Sequence, residues 1–142
     1  MKQNVENCLK KGKLAKVPVE PDRIRQEIRD VGTDLSDGER LMGEGDERQG
    51  VRRVKNALLH GLRGLILSKG YLEKDEDCLE CAVDELFVRP GIIGPEVLSA
   101  FQESRRMVED ALHGDYPDHD RLMEVFRITE EFHEGLPKLL KV

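Results

Sequence analysis

Apolar residues recur along this chain at the spacing of helical faces, and glycine or proline separates one run from the next. Residues 1–21 read as an N-terminal arm in which residues 3–11 make a helical turn or two before Gly12, with Pro18 and Pro21 interrupting. Residues 22–142 read as a helical bundle. Its first long helix runs from Asp22 to about Met42, with Ile24, Ile28, Val31, Leu35 and Leu41 on one face, and Gly43–Gly45 ends it. Asp46 followed by Gln49 resembles a capping box and opens a second helix that continues to Lys69, where Gly70 stops it. A third helix covers about Asp75 to Val88 and ends at Pro90-Gly91. Pro95 suits the first turn of a fourth, which carries Val97, Leu98, Phe101, Val108 and Leu112 up to Gly114. The fifth starts near Asp118 with Leu122, Val125, Phe126, Phe132 and Leu136 in one stripe, and Gly135 and Pro137 should kink or fray its end. No strand and no repeat is predicted. The pattern is that of an all-α protein, an antiparallel up-and-down bundle of about five helices.

Composition supports this reading. Hydrophobic residues make up 38% and charged residues 37%, aromatics only 4%, and Trp is absent, a poor inventory for a sandwich or barrel. A net charge of −6 argues against an extended nucleic-acid surface but leaves room for a local basic patch. No run approaches about 18 apolar residues, and MKQNVENCLKKGKL lacks a signal peptide's apolar centre, so a cytoplasmic protein without a membrane span is expected. Three cysteines, an odd number, do not suggest a disulfide framework. Cys78 and Cys81 form a C-x-x-C, but inside a helical pattern and without a second pair or a nearby His, so they are read as mostly buried helix positions rather than metal or redox groups.

The second helix carries the candidate chemistry. At about 100° per residue, Val51, Val54, Leu58, Leu62 and Leu65 gather on a core side. Arg53 and His60, seven apart, project almost in line elsewhere, with Asn56, Arg63 and Gly64 on or beside that ridge. An imidazole near its neutral pKa can exchange protons, and a guanidinium can hold a phosphate and stabilise charge developing there. Together they could cleave RNA without a metal by helping a 2′-hydroxyl attack the adjacent phosphate, or bind a nucleotide phosphate with no chemistry. The plainer reading is a solvated face or half of a helix–helix interface. Elsewhere, Lys10 to Lys16 forms a short basic arm that could touch phosphates. Arg105 and Arg106 read as surface residues paired with carboxylates such as Glu109, and His119 with Asp115, Asp118 and Asp120 reads as an Asp-rich helix start rather than a metal cluster.

The run GDERQGVRRVKNALLHGLRGLILSKGYLEKDEDCLECAVDELFVRPGI resembles small stand-alone prokaryotic HEPN-domain proteins. Gly45-Asp46, Arg53, Ala57, His60, Arg63, Leu65, Ser68-Lys69-Gly70-Tyr71, Lys74 and Leu79 match that group's pattern without a gap, and CLKKGKLAK and Asp34-Leu35 match it upstream. The resemblance implies a helical bundle that usually dimerises, often beside a minimal nucleotidyltransferase in a toxin–antitoxin-like pair. Active members are metal-independent ribonucleases with an R-x4–6-H motif, which Arg53-VKNALL-His60 fits. The chain departs from the pattern at Val54, where a polar residue often follows the Arg, at Lys55 and Asn56, which replace paired tyrosines, and at Glu76, which replaces a His. The expectation is therefore a HEPN-like protein that binds RNA or nucleotide phosphates through Arg53 and His60. In it His60 is the general acid or base, Arg53 the phosphate clamp, and Asn56 and Arg63 support them, with no metal or cofactor. The alternative is a non-enzymatic helical partner whose degenerate ridge meets a second copy or a nucleotidyltransferase.

Overall fold

Each long helix is opened by a short acidic side chain or a proline. Asp46, Asp75 and Asp118 accept hydrogen bonds from the backbone N–H of Gln49, Cys78 and Arg121, and Pro21 and Pro95 stand at the starts of the other two. The computed structural model describes residues 3–142; Met1 and Lys2, the start of the expected arm, lie outside them. Its elements are α1 (Val5–Lys10), β1 (Leu14–Lys16), α2 (Pro21–Gly43), α3 (Glu47–Ser68), β2 (Tyr71–Glu73), α4 (Glu76–Val83, prolonged by a π turn over Asp84–Val88), α5 (Glu96–Leu112) and α6 (His119–Leu140). The protein is a helical bundle, as its periodicity predicts, and among the described residues no helix is long and apolar enough to cross a membrane.

The second helix of the sequence reading, α3, is the centre of the bundle and packs against α2, α5 and α6. Val51, Val54, Leu58, Leu62 and Leu65 are all fully buried on it. Around them lie Val31 of α2, Phe101 of α5 and Leu122, Phe132 and Leu136 of α6. The turn from α2 into α3 is short, with Gly45 at φ +86°, a conformation that favours glycine, and it sets the two helices antiparallel.

Three expectations need correction. Two strands exist after all: Leu14, Ala15 and Lys16 pair antiparallel with Glu73, Leu72 and Tyr71. Three residues per strand are too few for an alternation to be read. Cys8 and Cys78 are joined in a disulfide across 70 residues of sequence, which ties α1 to α4 and leaves Cys81 free. An odd count excludes complete pairing, not one pair. Leu112 is 62% exposed, because α5 runs on past the core to its glycine stop.

Two predictions follow from this packing. A Cβ on Gly61 would lie 2.5 Å from Cε2 of Phe132 in α6. Gly61→Ala gains roughly 1 kcal/mol of helix propensity, but overpacking a core typically costs about 1–3 kcal/mol, so the variant should unfold at lower urea. An unchanged or higher midpoint would mean that α6 can shift away from α3. Reducing the Cys8–Cys78 bond should remove about 2–4 kcal/mol of stability in the same measurement, whereas Cys81→Ser should leave the midpoint where it is. If reductant has no effect on the wild type, the two thiols are not joined.

Candidate functional site

The ridge is one half of a two-helix arrangement. Arg53, Asn56, His60 and Arg63 step along α3 at intervals of three, four and three residues. Glu27, Asp30, Asp34 and Asp37 step along α2 at the same intervals. Because the helices are antiparallel, three of the four α3 side chains meet carboxylates in reverse order. Arg53 donates to Asp34 at 3.3 Å and lies 3.9 Å from Asp37. Nδ1 of His60 donates to Glu27 at 2.6 Å, with Asp30 at 3.9 Å. Arg63 lies 3.8 Å from Glu27 and forms a two-pronged bond to Glu73 of β2, the closer prong at 2.7 Å. The short strand pair thus has a function at the ridge, since it presents Glu73 to Arg63.

Asp34 joins the two principal residues. One carboxylate oxygen accepts from Arg53, and the other stands 3.5 Å from Nε2 of His60. Glu27 and Asp34 are buried, whereas the Arg53 side chain is 47% exposed and that of His60 25%. The arrangement is a half-open crevice with anionic walls and two cationic groups at its mouth.

Its electrostatics decide the protonation of His60. The hydrogen bond to Glu27 is the largest influence and raises the imidazole pKa above its ordinary 6.5, against a burial effect in the other direction. The charges of Glu27, Asp30 and Asp34 add to the rise. The rise favours the imidazolium, the form that can donate a proton. Burial lifts the carboxyl of Asp34 above its ordinary range, although His60 and Arg53 pull it back.

The structure brings together three of the four predicted residues, Arg53, His60 and Arg63. Asn56 is not with them: it lines a separate cavity of about 310 Å³ with Arg52, Lys55, Val108 and Leu112. Its position three residues from Arg53 turns it toward α5 rather than α2. The sequence reading missed Glu27, Asp30, Asp34, Asp37 and Glu73. The repeated three-four-three spacing on consecutive helices was the signal that could have found the first four. Lys55, standing where the HEPN pattern has a tyrosine, pairs at 3.0 Å with Glu76, which stands where it has a histidine.

Other candidates resolve into local structure. Arg105 pairs with Asp77 and Glu80 of α4 rather than with Glu109, and Arg106 with Glu103. His119 contacts Glu47, and Asp118 caps α6, as expected of an Asp-rich helix start. Among the described residues, Glu27, Asp30 and His60 bring donor atoms within 4.8 Å of one another, close enough to share a cation. His60 could join such a set only by giving up the proton that it shares with Glu27, and its raised pKa opposes that loss.

His60 also makes stability depend on pH. A raised folded-state pKa gives a contribution fully present below the unfolded value near 6.5 and lost as pH rises through the higher folded value. Between pH 6 and pH 9 the wild type should therefore lose stability relative to His60→Gln, followed by urea midpoints at each pH. Parallel curves for the two proteins would show that Glu27 does not hold the proton on His60.

No family model matches the chain, and no match to a curated protein or to a solved structure was found.

Proposed function

We propose that this protein acts on RNA as a HEPN-type, metal-independent ribonuclease, with the crevice of Arg53 and His60 as its site. One observation carries the reading: the buried Asp34 spans both residues and keeps a guanidinium and an imidazolium side by side at an open edge. Nδ1 of His60 is committed to Glu27, and Nε2 sits beyond ordinary hydrogen-bonding reach of Asp34 and is left to meet a substrate. Arg53 holds the scissile phosphate. The 2′-oxygen forms a bond to phosphorus while the bond to the 5′-oxygen breaks. The 2′-hydroxyl proton leaves to water, and the Nε2 proton of His60 passes to the departing 5′-oxygen. The products are a 2′,3′-cyclic phosphate and a free 5′-hydroxyl. Arg63, held by Glu73 and Glu27, keeps the Glu27 carboxylate in place behind His60. Glu27 and Asp34 are positioning residues.

A second reading rests on a different observation. Four carboxylates of α2 face the ridge, so its cations are already neutralised within the chain. On that reading the crevice is an ionic seam, and the protein is a helical partner of a second copy of itself or of a nucleotidyltransferase.

Cleavage of mixed RNA in EDTA separates the two. The wild type should cut and leave cyclic phosphate ends, and His60→Ala should lower the rate by roughly 10²–10⁴-fold, the usual weight of a general acid. Arg53→Ala should be similarly impaired. The wild-type rate should fall as pH rises through the raised pKa of His60, because the acid form is lost. An inactive wild type would favour the partner reading, and activity surviving in both variants would place any site elsewhere.

A further inference from the structure

The cations of α3 fall into two classes. Those facing α2 and β2 are matched by carboxylates, as is Lys55 by Glu76. Arg48 and Arg52 are different: among the described residues neither has a carboxylate within ion-pair distance. They are four residues apart, and Asn56 follows four later, so the three side chains line one edge of α3 over about 12 Å. An aromatic ring stands at the start of that edge. The guanidinium of Arg48 lies 4.0 Å from the centre of the Tyr116 ring and also donates to the carbonyl of Gly114. Tyr116 is nevertheless 72% exposed, so most of the ring is open to a ligand. Arg48 Nε is buried without a hydrogen-bond partner. Farther along, Arg52, Lys55 and Asn56 line the 310 Å³ cavity together with the apolar Val108 and Leu112.

An exposed Arg52, a half-buried Arg48 without a carboxylate partner, an amide and an open aromatic face suit a single-stranded nucleic acid. The cations take the phosphates, and the ring stacks a base regardless of sequence. Arg52 and Arg53 are consecutive and both exposed, about 100° apart around α3, so this edge borders the face that carries Arg53. We infer that Arg48, Arg52, Asn56 and Tyr116 form a track that binds single-stranded RNA and delivers it to Arg53 and His60. The track supplies stacking surface from the α5–α6 connection, at a distance from Lys55 and Asn56, where the HEPN pattern has tyrosines. The inference rests on the ribonuclease reading for its direction, and binding tests it separately.

The probe is a fluorescein-labelled 2′-O-methyl RNA of mixed sequence, about 16 nucleotides long, which cannot be cut because its 2′-oxygen is blocked. Anisotropy at low salt should show binding that weakens as salt is raised. Arg48→Ala with Arg52→Ala should weaken it roughly tenfold or more and reduce the salt slope by about 0.7 for each cation removed. Tyr116→Ala should weaken it roughly five- to a hundredfold with the slope unchanged, and Tyr116→Phe should restore it, as for a lost and regained stack. Since Arg48 also secures the Gly114 loop, Arg52→Gln alone provides a variant with no such contact, and it should lower both affinity and slope. No binding by the wild type, or equal binding by the Arg52 and Tyr116 variants, overturns the track. If the track fails while unmodified RNA is still cut in dependence on His60, the ribonuclease reading stands without it. If binding follows the track but nothing is cut, the track stands and the chemistry falls.

Discussion

The burial of α3 is the constraint on which the rest depends. A helix packed by α2, α5 and α6 has neighbours on several sides, and any charge that it carries toward one of them has to be answered there. The answer along α2 is a stripe of four carboxylates at the spacing of the α3 ridge. Two ions brought out of water gain little net stability over an apolar pair, but removing one partner strands the other at a cost of about 3–5 kcal/mol. The apolar core holds the helices together, and the matched stripes let charge lie along the seam between α2 and α3.

This division explains what the sequence reveals. The apolar stripes of the long helices are periodic over many turns, and their stops are Gly and Pro, so the helices and most of the core are legible. Local caps such as Asp46 and Asp118 are legible too, because both partners lie within one turn. The two strands are not, since three residues carry no period and their pairing depends on residues far apart in the chain. The Cys8–Cys78 bond is hidden for the same reason. In the site, Arg53, His60 and Arg63 stand out as unusual residues on an otherwise ordinary helix, while Asp34 and Glu27 look like the solvated charges of any amphipathic helix. Their burial appears only when the two helices are laid antiparallel. Asn56 shows the opposite error: a wheel groups residues by angle, and neighbouring helices then divide that arc between two different surroundings.

The same pairing shapes the chemistry available. A lone histidine on a helix surface would be mostly neutral at physiological pH, as ready to accept a proton as to give one. Glu27 tilts that balance toward the protonated imidazole, whose Nδ1 it holds while Nε2 lies 3.5 Å from Asp34. The same carboxylates weaken the crevice as an anion trap. A phosphate reaching Arg53 has to compete with Asp34 and Asp37 and approach a wall that is net negative.

Capture and chemistry are therefore best served by different residues. A paired guanidinium contributes little field beyond a few ångströms, because its partner's charge cancels it, and an unpaired one acts over roughly a Debye length of about 8 Å at physiological salt. Arg48 and Arg52 retain their field, while Arg53, His60 and Arg63 have spent theirs on position and protonation. In a chain of net charge −6 the long-range attraction for an anion has to come from such a local exception, and the exposed edge of α3 is where the unanswered positive charge lies next to the crevice. On the proposed ribonuclease reading, the carboxylates that favour the acid form of His60 are also the reason why phosphate-gathering residues lie beside Arg53 and His60 rather than among them.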